Sequence, residues 1–428
     1  MFDKLGKLKI KGDGIIWAVF FILCIISIIE VFSASSGLTY KGGSYFKPMI
    51  YHTVLLVVGV VFMIVTMNVK CKYFKLVTPF ALLLSLIMLI AVLVVGQTTN
   101  GAQRWIDLFG IQFQPSELAK GAVILAEAQI LSAMQTVDGA DRHAFRYILS
   151  VSLPILFLIG IENLSTAGLL FLTILIMMFI GRVPKRQLLR TVGFILVCAA
   201  VFIGAIMLLG KSEREAVADD DKMVLTEQVE APQSKSVVEK VFHRFDTWKA
   251  RIEKFLDFRE IPPEEVDLDK DAQVSHANIA IASSNVIGKG PGNSVERDFL
   301  SQAFSDFIYA IIIEEMGIWG AFIVCLLYIV LLFRTATIAN RCANAFPALL
   351  IMGIALLLVT QAMFNMCVAV GLAPVTGQPL PLISKGGTST IVNCVYIGVI
   401  LSVSYTAKRK DEVESGKKKK VAMATSRV

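Results

Sequence analysis

The sequence predicts an all-α integral membrane protein with ten transmembrane helices and a large extracytoplasmic loop between helices 7 and 8. Three observations lead there. Of 428 residues, 55% are hydrophobic and only 18% are charged, and the mean hydropathy is +0.69, too apolar for a soluble chain of this length. Mostly apolar stretches of roughly 18 to 25 residues, the length that crosses a bilayer, recur along it. The basic residues in the links between them alternate so that nearly all fall on one side, as expected because lysine and arginine resist translocation.

The stretches begin near Gly14, Ile50, Phe74, Ser116, Tyr147, Leu164, Leu188, Asp306, Ala345 and Gly386. The first follows a lysine-rich start, is long enough to span, and is closed by no clear small-residue cleavage site, so it reads as a retained helix. The fifth and sixth are parted only by Ile161-Glu162-Asn163, read as a tight outer turn. The N-terminal tail, Lys70/Lys72/Lys75, Arg142/Arg146, Arg182/Lys185/Arg186/Arg190, Arg334/Arg341 and the C-terminal tail share one side, the cytoplasm. Opposite them stand little more than Lys41, Lys47, Arg104 and Lys385. Both termini are therefore expected to be cytoplasmic. The chain divides into a basic tail (1–13), helices 1–7 (14–210), the large loop (211–305), helices 8–10 (306–408) and a second basic tail (409–428).

The net charge of +7 sits mainly in the tails, where such runs suit an anionic membrane surface. Nucleic-acid binding is the competing reading of a basic tail, but no aromatic residues interleave these lysines. The seven cysteines avoid the segments placed outside, which argues against structural disulfides. The four histidines are scattered, with no CxxC or HExxH string, which argues against zinc. Within the large loop, Asp219, Asp220 and Asp221 read as a solvated stretch. Phe242, Phe245, Trp248, Ile252 and Phe255 recur at helical spacing among Arg244, Lys249, Arg251 and Lys254, the pattern of an interfacial amphipathic helix.

Three polar, glycine-rich clusters fall on the outer face. The first runs from Asn100 to Lys120. In it Gln114-Pro115-Ser116 with Glu117 reads as a helix start, and Lys120 follows one turn inside. Arg104 and Trp105 suit the interface as anchors, whereas a cation as deep as Lys120 asks for a partner. The second runs from Ser275 through Gly288-Lys-Gly-Pro-Gly292 to Gly317. Asp306 ends the loop and opens a helix. There it serves either as a cap or as a carboxylate shielded enough for proton transfer. Glu314 and Glu315, deeper, are expected to pair with Lys120 or Arg104, or to carry protons. The third, Gly371 to Ser389, reads as a re-entrant or broken segment beside a cavity. Gly386 and Gly387 with Thr388 and Ser389 are positioned to offer backbone N–H groups to a phosphate, with Lys385 adding charge. A simple tight turn needs the same residues.

Together these strings resemble the SEDS family (shape, elongation, division and sporulation), to which FtsW, RodA and SpoVE belong. GAQRWI with FQPSELAK, GKGPGNS with SDFIYAIIIEE, and TGQPLPLISKGGTS stand where the family carries GAxRWI with FQPSELxK, GxGxGxS with (S/T)DFIFAVIGEE, and TGxPLPFISYGGSS. The resemblance implies a peptidoglycan glycosyltransferase that polymerises lipid II. The 4-hydroxyl of an acceptor N-acetylglucosamine attacks the anomeric carbon of the donor N-acetylmuramic acid and expels undecaprenyl pyrophosphate. It places Asp306 as the base or acceptor-orienting carboxylate, and Arg104, Lys120 and Arg251 on the pyrophosphate. Trp105 shapes the channel, with Lys385, Gly386, Gly387, Thr388 and Ser389 at the substrate. Gln114, Ser116, Glu117, Glu314 and Glu315 give support.

Arg251-Ile-Glu-Lys-Phe-Leu-Asp-Phe lacks the family's proline, Glu162-Asn163-Leu-Ser-Thr departs from (Q/E)PDLGT, and Lys385 replaces a tyrosine. VFSASSG, at residues 31–37, is closer to the division branch, FtsW, than to RodA. That implies a septal location in the bacterial cytoplasmic membrane, a class B penicillin-binding transpeptidase and other divisome or elongation proteins as partners, and no nucleic acid. No metal motif is present; Mg²⁺ or Mn²⁺ near Asp306 is an expectation from pyrophosphate chemistry. A lipid II flippase, with Glu127 as its best residue, and a non-catalytic divisome scaffold are the rival readings.

Overall fold

The computed structural model describes residues 11–36, 46–99, 102–108, 111–209, 272–300 and 304–425. The amphipathic stretch with Arg251 and the acidic triplet at Asp219 lie outside these. Helices stand at α1 (Gly14–Ser36), α2 (Phe46–Asn68), α3 (Cys71–Val95), α4 (Pro115–Ala133), α5 (Arg142–Glu162), α6 (Leu164–Ile180) and α7 (Lys185–Leu209). They continue with α8 (Ala272–Ser283), α9 (Ile308–Asn340), α10 (Ala345–Ala369) and α11 (Thr388–Thr425). Among the described residues, seven of these segments are long and apolar enough to cross a membrane, in α1, α2, α3, α5, α9, α10 and α11, while α6 is a shorter apolar helix.

Burial sorts the helices. The spanning windows of α10 and α11 are 72% buried, against 22% for that of α3. Accordingly α10 lies at the centre, packed on α4, α6, α9 and α11, while α3 turns most of its apolar surface outward. Close packing is by small residues, as expected where lipid offers no hydrophobic drive between helices. A Cβ on Gly398 of α11 would stand 2.7 Å from the Met63 carbonyl oxygen of α2.

Two local features were not expected. The link between α3 and α4 folds into an antiparallel meander, β1 (Gln97–Thr99), β2 (Ala102–Leu108) and β3 (Ile111–Phe113). Trp105 pairs with Gln97, and Ile106 with Phe113. Also, α9 is broken at Gly317, whose φ of 68° belongs to the left-handed region that glycine tolerates. The break frees the carbonyls of Glu314 and Glu315. They accept from the Lys289 and Gly290 amides at 2.9 and 2.8 Å, so the glycine-rich turn caps an interrupted helix.

The tight turn read at Ile161-Glu162-Asn163 is a one-residue break. The Asn163 Oδ1 accepts from the Ser165 and Thr166 amides at 3.1 and 3.3 Å, capping α6. At the opposite end of the bundle Asp13 takes a bidentate contact from Arg334, at 3.0 Å from Nε and 2.7 Å from Nη2 to its Oδ2. Burial alone would raise the Asp13 carboxyl, but the Arg334 guanidinium and the Ile15 and Ile16 amides bring it below its ordinary value.

Candidate functional site

Gln114 caps α4 through its backbone and Pro115 opens the helix, as the missing proline N–H allows. Glu117 and Lys120, one turn apart, are both buried, and the Lys120 Nζ lies 2.8 Å from Glu117 Oε1 and 2.7 Å from Gln361 Oε1. The ammonium is thus engaged inside the bundle: a buried cation needs its charge and donors matched, and Glu117 and Gln361 are its partners here. Glu127, seven residues on, is fully buried with neither carboxylate oxygen hydrogen-bonded, so it is not Lys120's partner.

Glu314 and Glu315 do pair, but not with Lys120 or Arg104. Glu314 receives Lys289 Nζ at 2.6 Å and the Val295 amide at 3.1 Å. Glu315 accepts from the Gly292 and Ser294 amides at 2.9 and 3.3 Å and from the Ser33 hydroxyl of α1. The partners lie in the glycine-rich turn because the break at Gly317 folds that turn against them. The first half of α9, whose N-terminus follows Asp306, is thereby fixed to α1 and to the turn.

Asp306 is not the helix cap: Phe307 holds that position, without a side-chain capping bond. The Asp306 carboxylate, half-buried, accepts from the Ser305 hydroxyl at 3.0 Å. A Cβ on Gly377 would stand 3.0 Å from Arg104 Nη1 and 3.4 Å from Asp306 Oδ2. One point therefore touches all three sequence clusters: the guanidinium from β2, the carboxylate before α9, and the backbone of the Gly371–Ser389 segment. Gly377 has φ of +67°, so a side chain there would be strained and would stand against both the cation and the anion. Arg104 Nε also donates to the Glu162 carbonyl at 3.4 Å.

The Gly371–Ser389 segment is irregular and partly buried in protein, a condition under which such backbone survives at membrane depth. Helix side chains satisfy its carbonyls. The Asn365 Nδ2 bridges the Asp306 and Gln378 carbonyls at 2.8 and 2.7 Å, Gln361 Nε2 donates to the Pro379 carbonyl at 3.1 Å, and the Tyr328 hydroxyl donates to that of Pro381. Thr388 opens α11 and donates to the Gln112 carbonyl at 3.0 Å, docking the Gly386-Gly387-Thr388-Ser389 turn on β3. Ser389 is buried. Lys385 lies with its Nζ 4.7 Å from the Phe304 ring centre, and burial lowers its pKa. Trp105 is half-buried on β2. Gln361 and Asn365 were missed in the sequence; two amides at i and i+4 in an otherwise apolar helix were the signal.

Among the described residues no group of three or more His, Cys, Asp or Glu is arranged to hold a metal, and the partner brought beside Asp306 is a guanidinium. The described residues do not by themselves build a Mg²⁺ or Mn²⁺ site.

The chain matches the family of cell cycle proteins comprising FtsW, RodA and SpoVE over residues 13–409. It belongs to that family. It is 28% identical over 347 residues to peptidoglycan glycosyltransferase MrdB of Escherichia coli K12, covering 81% of this chain and 82% of that one. With the probable peptidoglycan glycosyltransferase FtsW of Trichlorobacter lovleyi it shares 30% identity over 383 residues, 88% and 89% of the two chains. Among solved structures it resembles Thermus thermophilus RodA, at a TM-score of 0.59 and 21% identity over 92% of this chain and 97% of that one. It also resembles a chain of a peptidoglycan synthase complex described as coordinating polymerisation and crosslinking, at 0.64 and 22% over 93% and 99%. The protein is a multi-pass, helical membrane member of this family.

Proposed function

We propose that this chain is a peptidoglycan glycosyltransferase that polymerises lipid II at the outer face of the bacterial cytoplasmic membrane. The observation that carries the reading is the meeting of Arg104, Asp306 and Gly377 at one point. The reaction needs an acceptor for the hydroxyl proton and a cation for the departing pyrophosphate. Asp306 is the base or the group that orients the acceptor, and Arg104 takes the pyrophosphate. Lys385, and Arg251 from outside the described residues, are the further cations. An apolar cleft of about 640 Å³ between α5, α6 and α7 includes Ile161 and Leu164, which flank the Glu162-Asn163 break that Arg104 touches. Its walls suit a polyprenyl chain. Ten crossings, with both termini in the cytoplasm and 211–305 outside, put the three clusters on this face.

The division branch, a septal location and a class B penicillin-binding transpeptidase partner accord with the FtsW relatives and with the synthase-complex neighbour. The second reading, a lipid II flippase, rests on Glu127, a buried carboxylate without a hydrogen bond midway along α4. The test is lipid II polymerisation by the purified chain with its cognate transpeptidase, for wild type and Asp306→Ala. Strands from wild type alone support the transferase. No strands, with lipid II still crossing reconstituted bilayers, supports the flippase.

A further inference from the structure

The end of the bundle opposite Arg104 and Asp306 holds a cavity of about 880 Å³ between the N-terminal segment, the end of α2, the stretch 402–407 of α11 and the starts of α3 and α10. Lys11, Lys70, Lys72, Lys75 and Arg341 line it, and no aspartate or glutamate does so among the side chains described up to Ala407. Lys11 Nζ donates to Asn68 Oδ1 at 2.7 Å and Lys75 lies 4.7 Å from the Phe346 ring centre, so two of the cations are held at the wall by neutral groups. The four lysines alone concentrate positive charge that an anion from outside would match.

A second feature indicates what carries that anion. From Lys72, Leu76, Phe80, Leu83 and Ile87 follow at helical spacing down one face of α3 and are 55 to 68% exposed. Charge at the mouth and an apolar track leading from it into the membrane is the form of a phospholipid, and basic pockets between transmembrane helices bind anionic headgroups. We propose that this cavity binds the phosphate headgroup of an anionic glycerophospholipid, whose acyl chains lie along the α3 stripe. A free phosphate shares the headgroup's chemistry but has no use for the stripe.

The test measures the thermal midpoint of the full chain in neutral detergent during titration with phosphatidylglycerol, phosphatidylcholine or inorganic phosphate, together with native mass spectrometry of retained lipid. Phosphatidylglycerol is expected to raise the midpoint and stay bound, and the other two are not. Lys72→Gln/Lys75→Gln is expected to weaken retention roughly tenfold or more. Arg186→Gln/Arg190→Gln removes the same charge from exposed positions of α7 outside the cavity and is expected to leave retention unchanged. Equal loss in both double variants would reduce the effect to general surface charge and overturn the site. Equal stabilisation by phosphatidylcholine or by inorganic phosphate would overturn the anionic-lipid assignment.

Discussion

At one end of the bundle several polar groups are buried or half-buried and held by others: Glu314 and Glu315 by the glycine-rich turn, Lys120 by Glu117 and Gln361, Asp306 by Ser305. At the other, Lys70, Lys72, Lys75 and Arg341 stand exposed at helix ends. The difference follows from what each end must do. Orientation in the membrane needs only charge on one side, which tolerates variation in position. Bringing a carboxylate and a guanidinium to the same point needs backbone fixed within fractions of an ångström, and a buried network supplies that only when each member is satisfied.

If the buried end is such a network, breaking one member has a large effect. Lys120→Met leaves Glu117 buried without its cation and is expected to cost about 3 to 5 kcal/mol, read as a lower unfolding midpoint in detergent. Glu117→Met/Lys120→Met, which removes both charges, is expected to recover most of it. Were Lys120 chiefly a pyrophosphate ligand, stability would scarcely change and activity alone would fall. Next comes Gly377→Ala, which strains a φ of +67° and sets a methyl against both Arg104 and Asp306. Strand formation is expected to fall roughly hundredfold from the misplacement, well beyond the ~1 to 2 kcal/mol of stability that a left-handed alanine costs. Gly317→Ala would put a Cβ 2.4 Å from the Val286 carbonyl oxygen and is expected to cost about 2 kcal/mol, seen as early proteolysis of the turn that Glu314 and Glu315 hold.

The charged end is expected to respond weakly. Asp13 has its pKa lowered by Arg334, so the pair's contribution is present above the unfolded carboxyl's value of about 3.9 and is lost as pH falls through the folded value. Asp13→Asn is expected to cost less than about 1 kcal/mol at neutral pH and to flatten the acid limb of the midpoint-against-pH curve. A steeper loss at pH 7 would mean that this end, too, is a tightly coupled network.

The same contrast explains what could be read from the sequence. Helix starts at Gly14, Leu164 and Ala345 follow from hydropathy and capping, since those rules are local. The start of α4 was legible from Gln114-Pro115 for the same reason. The partners of Glu314 and Glu315 were not, because they depend on the break at Gly317, and one glycine in an apolar run does not announce a left-handed φ. The meander of β1 to β3 was missed because its strands are short and two of its glycines suggested only turns. Three clusters on one face were legible from topology, but that Gly377 adjoins both Arg104 and Asp306 rests on contacts between residues far apart in the chain. Gln361 and Asn365 show that polar side chains inside apolar helices merit the same attention as the motifs they support.

The most direct test of the shared site is glycan-strand formation from lipid II by Asp306→Asn and Arg104→Gln, each with the cognate transpeptidase and each checked for an unchanged unfolding midpoint. Both are expected to lose roughly a hundredfold or more in rate while remaining folded. Near-wild-type strand formation by either folded variant would contradict the assignment of carboxylate and guanidinium to one catalytic site.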